Sequence, residues 1–173
     1  MFSLRNLIFL AVAVTGSVIP RDVGQVKKDF EVINADTQAV TNAVNGFNGD
    51  AQNTPPILNA EHKLTGDIKA TTGHVKTVGK VSESDADYII NYVNGQYQPN
   101  IDAALSALKS KKAKFQAAGI AQIAKMDLEK LKGDAGALSD ALVANAPASR
   151  VEKAKAIKAH IEAGIEDAIK DFS

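Results

Sequence analysis

Val23, Val26, Phe30, Ile33, Thr37, Val40, Val44 and Phe47 follow one another at alternating spacings of three and four. That rhythm places them on one face of a helix of about seven turns. A stripe so long must be covered by other stripes, and this requirement limits the fold more than any other feature of the chain. Asp22 is the expected N-cap, and Gly46 or Gly49 the expected stop.

The remaining sequence supplies the partners. Residues 48–54 are polar, and Pro55-Pro56 restarts the chain. Ile57, Leu58, Leu64, Ile68, Thr71, Val75 and Val78 mark a second helix ending near Gly79. Ser84 and Asp87 have the spacing of a capping box for a third, which carries Ile89, Tyr92 and Val93. Gly95 and Pro99 interrupt it, because proline removes an amide donor and clashes with the preceding turn. Ile101, Leu105, Leu108 and Phe115 continue the stripe. Ile120, Ile123, Leu128, Leu131, Ala135, Leu138 and Leu142 form the next, and Pro147 ends it. Ser149 and Glu152 make a second capping box before Val151, Ala154, Ile157, Ile161, Ile165, Ala168 and Phe172. No segment alternates with period two, and the loops are short. The expectation is an all-α, antiparallel bundle of about five amphipathic helices, one kinked or broken near Gly95–Pro99.

The start of the chain has a different character. Arg5 precedes an apolar run from Leu7 to Val14, followed by Thr15, Gly16 and Ser17. The run is too short to span a bilayer, so residues 1–17 read as a signal peptide, with cleavage between Val14 and Asp22. Residues 22–173 then form a single helical domain. Export permits disulfides, yet the chain has no Cys, so helix packing alone must hold the fold. The C-terminal residues carry no apolar tail, so no lipid anchor is expected. There is no Asn-x-Ser/Thr sequon.

Charge and motif narrow the function. With 20 basic and 20 acidic residues the net charge is zero, which argues against nucleic acid. Lys109, Lys111, Lys112 and Lys114 are spread around one helix and read as a solvated face. His62, His74 and His160 lack a partner at metal-ligand spacing, and no nucleophile elbow or phosphate loop occurs. No catalytic residue, metal or cofactor is expected. Gly66, Gly73, Gly133 and Gly136 lie inside helices, where they allow either close packing or low-bulk walls around a ligand.

The chain resembles the fungal hydrophobic-surface-binding and cell-wall galactomannoprotein family. The resemblance rests on Phe30, Ile33, Thr37 and Val40; on Leu105, Leu108, Lys111-Lys112 and Phe115; on Leu128, Leu131, Leu138, Leu142 and Ala146-Pro147; and on Ile161, Ile165 and Ala168-Ile169. It implies a secreted or wall-associated, helical, non-catalytic protein. Some such proteins enclose long-chain fatty acids between helices. Others adhere to hydrophobic surfaces and help recruit secreted hydrolases.

Two functions therefore stand: a fatty-acid carrier and a surface-adhesion protein. A helical domain without Trp, whose Phe are Phe30, Phe47, Phe115 and Phe172, leaves room for a ligand. For a carrier, the expected lipid contacts are Phe30, Ile33, Val40, Leu64, Ile68, Leu105, Leu108, Leu131, Leu138 and Ile161, around one central tunnel. Thr37 and Thr71, polar residues on apolar stripes, are candidate head-group donors, though each could instead bond its own helix. Tyr92, Gln96 or a lysine at the bundle mouth are the alternatives.

Overall fold

The structure, a computed structural model, describes residues 23–173. The expected signal peptide, its cleavage region and the Asp22 cap lie outside the described residues. The elements are α1 (Val23–Gly46), α2 (Pro55–Val78), α3 (Glu83–Tyr92), α4 (Gln98–Ala117), α5 (Ala121–Asn145) and α6 (Val151–Asp171). Because α3 runs without interruption into α4, these make five long rods.

Local chemistry sets most boundaries. Pro55 and Pro56 occupy the first turn of α2, where a missing amide donor costs nothing. Gly79, with φ 68°, ends that helix. At the end of α4, Gly119 (φ 72°) makes a Schellman turn: its N–H donates to the Gln116 carbonyl, and the Ile120 N–H to the Phe115 carbonyl, both at 3.0 Å.

Two expected caps fall elsewhere. Ser82, not Ser84, caps α3: its Oγ accepts from the Asp85 N–H at 3.1 Å and donates to the Asp85 carboxylate at 2.7 Å. The same spacing two residues earlier won because Ser82 has the extended backbone a cap requires. Likewise Ser149 does not cap α6. It lies in a 3-10 turn, Ala148–Arg150, and donates to Glu83. Arg150 grips Asp87 through Nε and Nη2 at 2.6 and 2.8 Å. These residues tie α3 to the start of α6.

The join between α3 and α4 is a bend, not a break. Val93–Tyr97 form a π turn, in which the Gln98 N–H reaches back five residues to the Val93 carbonyl. The wider turn accommodates the ring of Pro99, at the start of α4.

Successive rods run in opposite directions, and the cross-links show which become neighbours. His74–Asp29 and Lys63–Asp36 join α2 to α1 in opposite sense. Lys158–Asp140 and Lys132–Glu166 do so for α6 and α5. Asn100–Asn34 and Lys111–Asn45 advance together, so α4 and α1 run the same way. So do α5 and α2, through Lys69–Asp134 and Asn145–Val75. Asp102–His160 and Lys109–Asp167 link α4 to α6 in parallel. The result is a closed ring, α1-α2-α5-α6-α4. Its inner face buries Phe30, Ile33, Val44, Ile68, Phe115, Leu138 and Ile165. Close helix packing occurs at Gly164, where a Cβ would lie 3.1 Å from Leu105 Cδ1. Gly66, Gly73 and Gly133 face open space, so they do not serve close packing, and a Cβ on Gly136 would meet only Glu162 Oε1 at 3.5 Å.

Candidate functional site

Partly open cavities lie within the ring toward each end. The first, of about 80 Å³, is lined by Val26 and Phe30 of α1, Ile68 and Val75 of α2, Ile89 of α3, Val93 and Tyr97 of the π turn, Leu138 and Leu142 of α5, and Ile157 and Ile161 of α6. The second, of about 110 Å³, is lined by Val40, Ile57, Leu64, Leu108, Phe115, Ile120, Leu128 and Leu131. The Schellman turn at Gly119 builds part of its wall, since it sets Ile120 beside Phe115.

The expected lipid contacts divide between these spaces. Phe30, Ile68, Leu138 and Ile161 line the first cavity, and Val40, Leu64, Leu108 and Leu131 the second. Ile33, Thr37, Thr71 and Leu105 are buried but line neither. Four of the expected contacts thus fall in each cavity. The two threonine hydroxyls donate to their own helices, Thr37 to the Ile33 carbonyl at 2.8 Å and Thr71 to the Asp67 carbonyl at 2.7 Å. Tyr92 also lies off both cavities; its hydroxyl meets Asn34 Nδ2 at 3.2 Å, and its ring stacks on Tyr88. Gln96 is exposed.

Sequence reasoning missed Tyr97. It is buried in the first cavity's wall, edge-on to Phe30, and burial pushes its phenol up to about 12, so it stays a neutral hydroxyl. The signal was present. Ile89, Val93, Tyr97, Ile101 and Leu105 are spaced by four throughout, a rhythm that 3.6 residues per turn cannot keep on one face without a wider turn.

Polar groups are few and differ between the chambers. Ser139, Asn145 and Lys158 reach the first. Asn145 Nδ2 donates to the Val75 carbonyl, whereas Lys158 pairs at the rim with Asp140 and Glu162. The hydrogen bond to Asp140 holds the Lys158 ammonium above its ordinary pKa. The second chamber has Thr54, Glu61 and Asp127 instead, and no cation among its lining residues. Burial, then the charge of Asp127, pushes the Glu61 carboxyl above its ordinary range.

Of the other charged side chains, His74 and His160 tie helices together, whereas His62 stays beside its neighbour in α2. His74 Nδ1 meets Asp29 at 2.6 Å, His160 Nε2 meets Asp102 at 3.1 Å, and His62 Nε2 lies 3.6 Å from Glu61. Lys111 donates to the Asn45 and Phe47 carbonyls at 2.7 and 3.0 Å, placing its charge at the negative end of α1. Among the described residues no group of three or more His, Asp or Glu could hold a metal ion, and no helix is long and apolar enough to cross a membrane.

Residues 23–144 match the family model described as hydrophobic surface binding protein A. No curated protein matches the chain. Among solved structures, AFMP4P in complex with palmitic acid superposes with a TM-score of 0.85 at 28% identity, covering 88% of this chain and 100% of that one. Ligand binding domain 1 of the Penicillium marneffei MP1 protein, complexed with arachidonic acids, gives 0.81 at 18% identity over 88% of this chain and 97% of that one. Ligand binding domain 2 of the same protein, complexed with multiple arachidonic acids, gives 0.83 at 18% identity over 90% and 98%. The last two show the shared fold.

Proposed function

The chain belongs to the hydrophobic surface binding protein A family, and from that premise we propose that it is a secreted carrier of long-chain fatty acids. The first cavity carries this reading: α1, α2, α3, the π turn, α5 and α6 contribute, its walls are apolar, and its lining includes a lysine. The similarity to a protein complexed with palmitic acid supports it.

The energetics suit a carrier. Burying a methylene stabilises by about 0.8 kcal/mol, so about 14 of them offer roughly 11 kcal/mol before binding costs are subtracted. An apolar cavity of about 150 Å³ holds benzene, so a long acyl chain must part the walls of this smaller space. The π turn at Val93–Tyr97, with exposed Gly95 inside it, is where α3 can swing without disturbing α4. Lys158, which a bound carboxylate would share with Asp140 and Glu162, and Ser139 are the lining cation and hydroxyl that can donate to it. Titration with palmitate tests the reading: one saturable site weakened by Lys158→Met is expected, and the absence of saturable binding would overturn it.

A second reading, adsorption to hydrophobic surfaces, draws on the family and on the exposure of Val32, Tyr88, Ile123 and Met126. Recruitment of secreted hydrolases and association with the cell wall rest on the family resemblance. Export rests on Arg5 and the apolar run Leu7–Val14. The helical domain, 22–173, is the lipid-binding unit in this reading.

A further inference from the structure

The second chamber differs from the first in the sign of what faces it. Its walls are apolar, and its two charged residues, Glu61 of α2 and Asp127 of α5, are both acids. Asp127 already meets Lys130 at 3.0 Å. Glu61 is less well served: Oε2 is buried and accepts no hydrogen bond, and the His62 ring stands 3.6 Å away with its side chain largely in solvent. Thr54, the one hydroxyl of the lining, spends its proton on the Ala51 carbonyl at 2.9 Å. A buried acceptor without a donor is unusual in a native protein, and marks a place where a partner is wanted.

The chamber also reaches the surface. Ile123, one of its lining residues, is 50% exposed, and nearby Met126 is 49% exposed. An apolar molecule thus meets greasy side chains before it meets the interior. A carboxylate arriving there would face two acids, and the nearest cation, Lys130, is already paired with Asp127. A hydroxyl or ammonium group would instead give Glu61 Oε2 the donor it lacks.

We propose that this chamber is a second lipid site, distinct from the fatty-acid cavity, which takes an apolar chain ending in a hydrogen-bond donor without negative charge, with Glu61 as the acceptor. The class covers long-chain alcohols and long-chain amines.

Ligands of equal chain length isolate the head group: 1-decanol, decylamine and decanoate, each titrated into the protein carrying labelled isoleucine methyl groups. Ile57 and Ile120 report on this chamber, and Ile89, Ile157 and Ile161 on the other. Decanol, decylamine or both should move the Ile57 and Ile120 signals, and whichever binds more tightly identifies the head group; decanoate should leave them in place. Glu61→Leu should weaken that binding about tenfold or more, the effect of losing a hydrogen bond to a charged acceptor. Glu61→Gln, which keeps an acceptor but no charge, should retain decanol within a few-fold and weaken decylamine about tenfold. Matching melting curves establish that both variants fold. The proposal is overturned if neither uncharged nor cationic ligand reaches Ile57 and Ile120, if decanoate binds there as tightly, or if Glu61→Leu changes nothing. Failure of the fatty-acid reading is separate, since palmitate would then leave Ile89, Ile157 and Ile161 unmoved.

Discussion

Arg150 holds Asp87 through two parallel hydrogen bonds, 2.6 and 2.8 Å long, across the gap between the start of α6 and the short helix α3. Glu83 adds a weaker contact to the same guanidinium at 3.8 Å. Since α3 supplies Ile89 to the first cavity and joins α4 through the π turn, this fork fixes one wall of the proposed fatty-acid site. Arg150→Ala should therefore raise amide hydrogen exchange in 83–92 while leaving the middle of α1 and α2 protected. Arg150→Lys should behave nearly the same way, because an ammonium cannot reproduce the fork. Equal protection of α3 in all three proteins would show that packing alone holds it.

Stability should peak in mild acid. Burial raises the carboxyls of Asp36 and Glu61, so the folded chain keeps those protons to higher pH than the unfolded chain. Their contribution is complete below the ordinary carboxylate range and is lost as pH rises through the raised values. Asp85, Asp87, Glu166 and Asp167 are lowered by hydrogen bonds to Lys27, Arg150, Lys132 and Lys109. Their contribution is present above the ordinary range and is lost as pH falls through the lowered values. Denaturant titrations at a series of pH values should show both limbs. The double variant Asp36→Asn, Glu61→Gln should flatten the limb toward neutral pH and leave the acid limb in place.

Glycine substitutions should separate along the lines of their surroundings. Gly66, Gly73 and Gly133 sit in helices, and a Cβ added at any of them would meet nothing within 4 Å, so alanine should stabilise by about 0.5–1 kcal/mol at each. Gly164→Ala should fall short of that gain, because its Cβ would press on Leu105 Cδ1 at 3.1 Å. Gly119→Ala should destabilise by about 1–2 kcal/mol, since its φ of 72° is left-handed. Denaturation midpoints would rank the five.

The five rods were legible because each keeps one face apolar over many turns, from Val26 to Phe47 in the first and from Ile157 to Phe172 in the last. Their order around the ring was not. Short loops suggest that consecutive helices pack together, yet the link after α2 crosses to α5, where the Val81 N–H donates to the Asn145 carbonyl at 3.1 Å and Lys80 to the Ala146 carbonyl. Like-directed helices thereby become neighbours. The site was legible as a set of apolar positions but not as two chambers. That division depends on depth along the rods, where Ile33 and Leu105 are buried between the ends, and periodicity reports the face of a residue rather than what lies opposite it. The sequence left open whether Thr37 and Thr71 serve a head group or their own helix. Thr37 and Thr71 look like donors on an apolar stripe, but a helical threonine finds its own carbonyl four residues back.

The two chambers should respond differently to filling. Leu138 lines the first and Leu108 the second, and no residue lines both. Leu138→Phe adds bulk beside Phe30 and Ile161, where the acyl chain is proposed to lie, so palmitate affinity should fall by about tenfold or more, the equivalent of about two buried methylenes. Leu108→Phe should leave palmitate affinity within a few-fold of the parent. Overpacking can cost about 1–3 kcal/mol of stability, so denaturation must be measured alongside the calorimetric titration. A loss of palmitate binding in both variants, with both stably folded, would show that the bound state joins the chambers into one channel. Unchanged binding in Leu138→Phe would move the acyl chain out of the first chamber altogether.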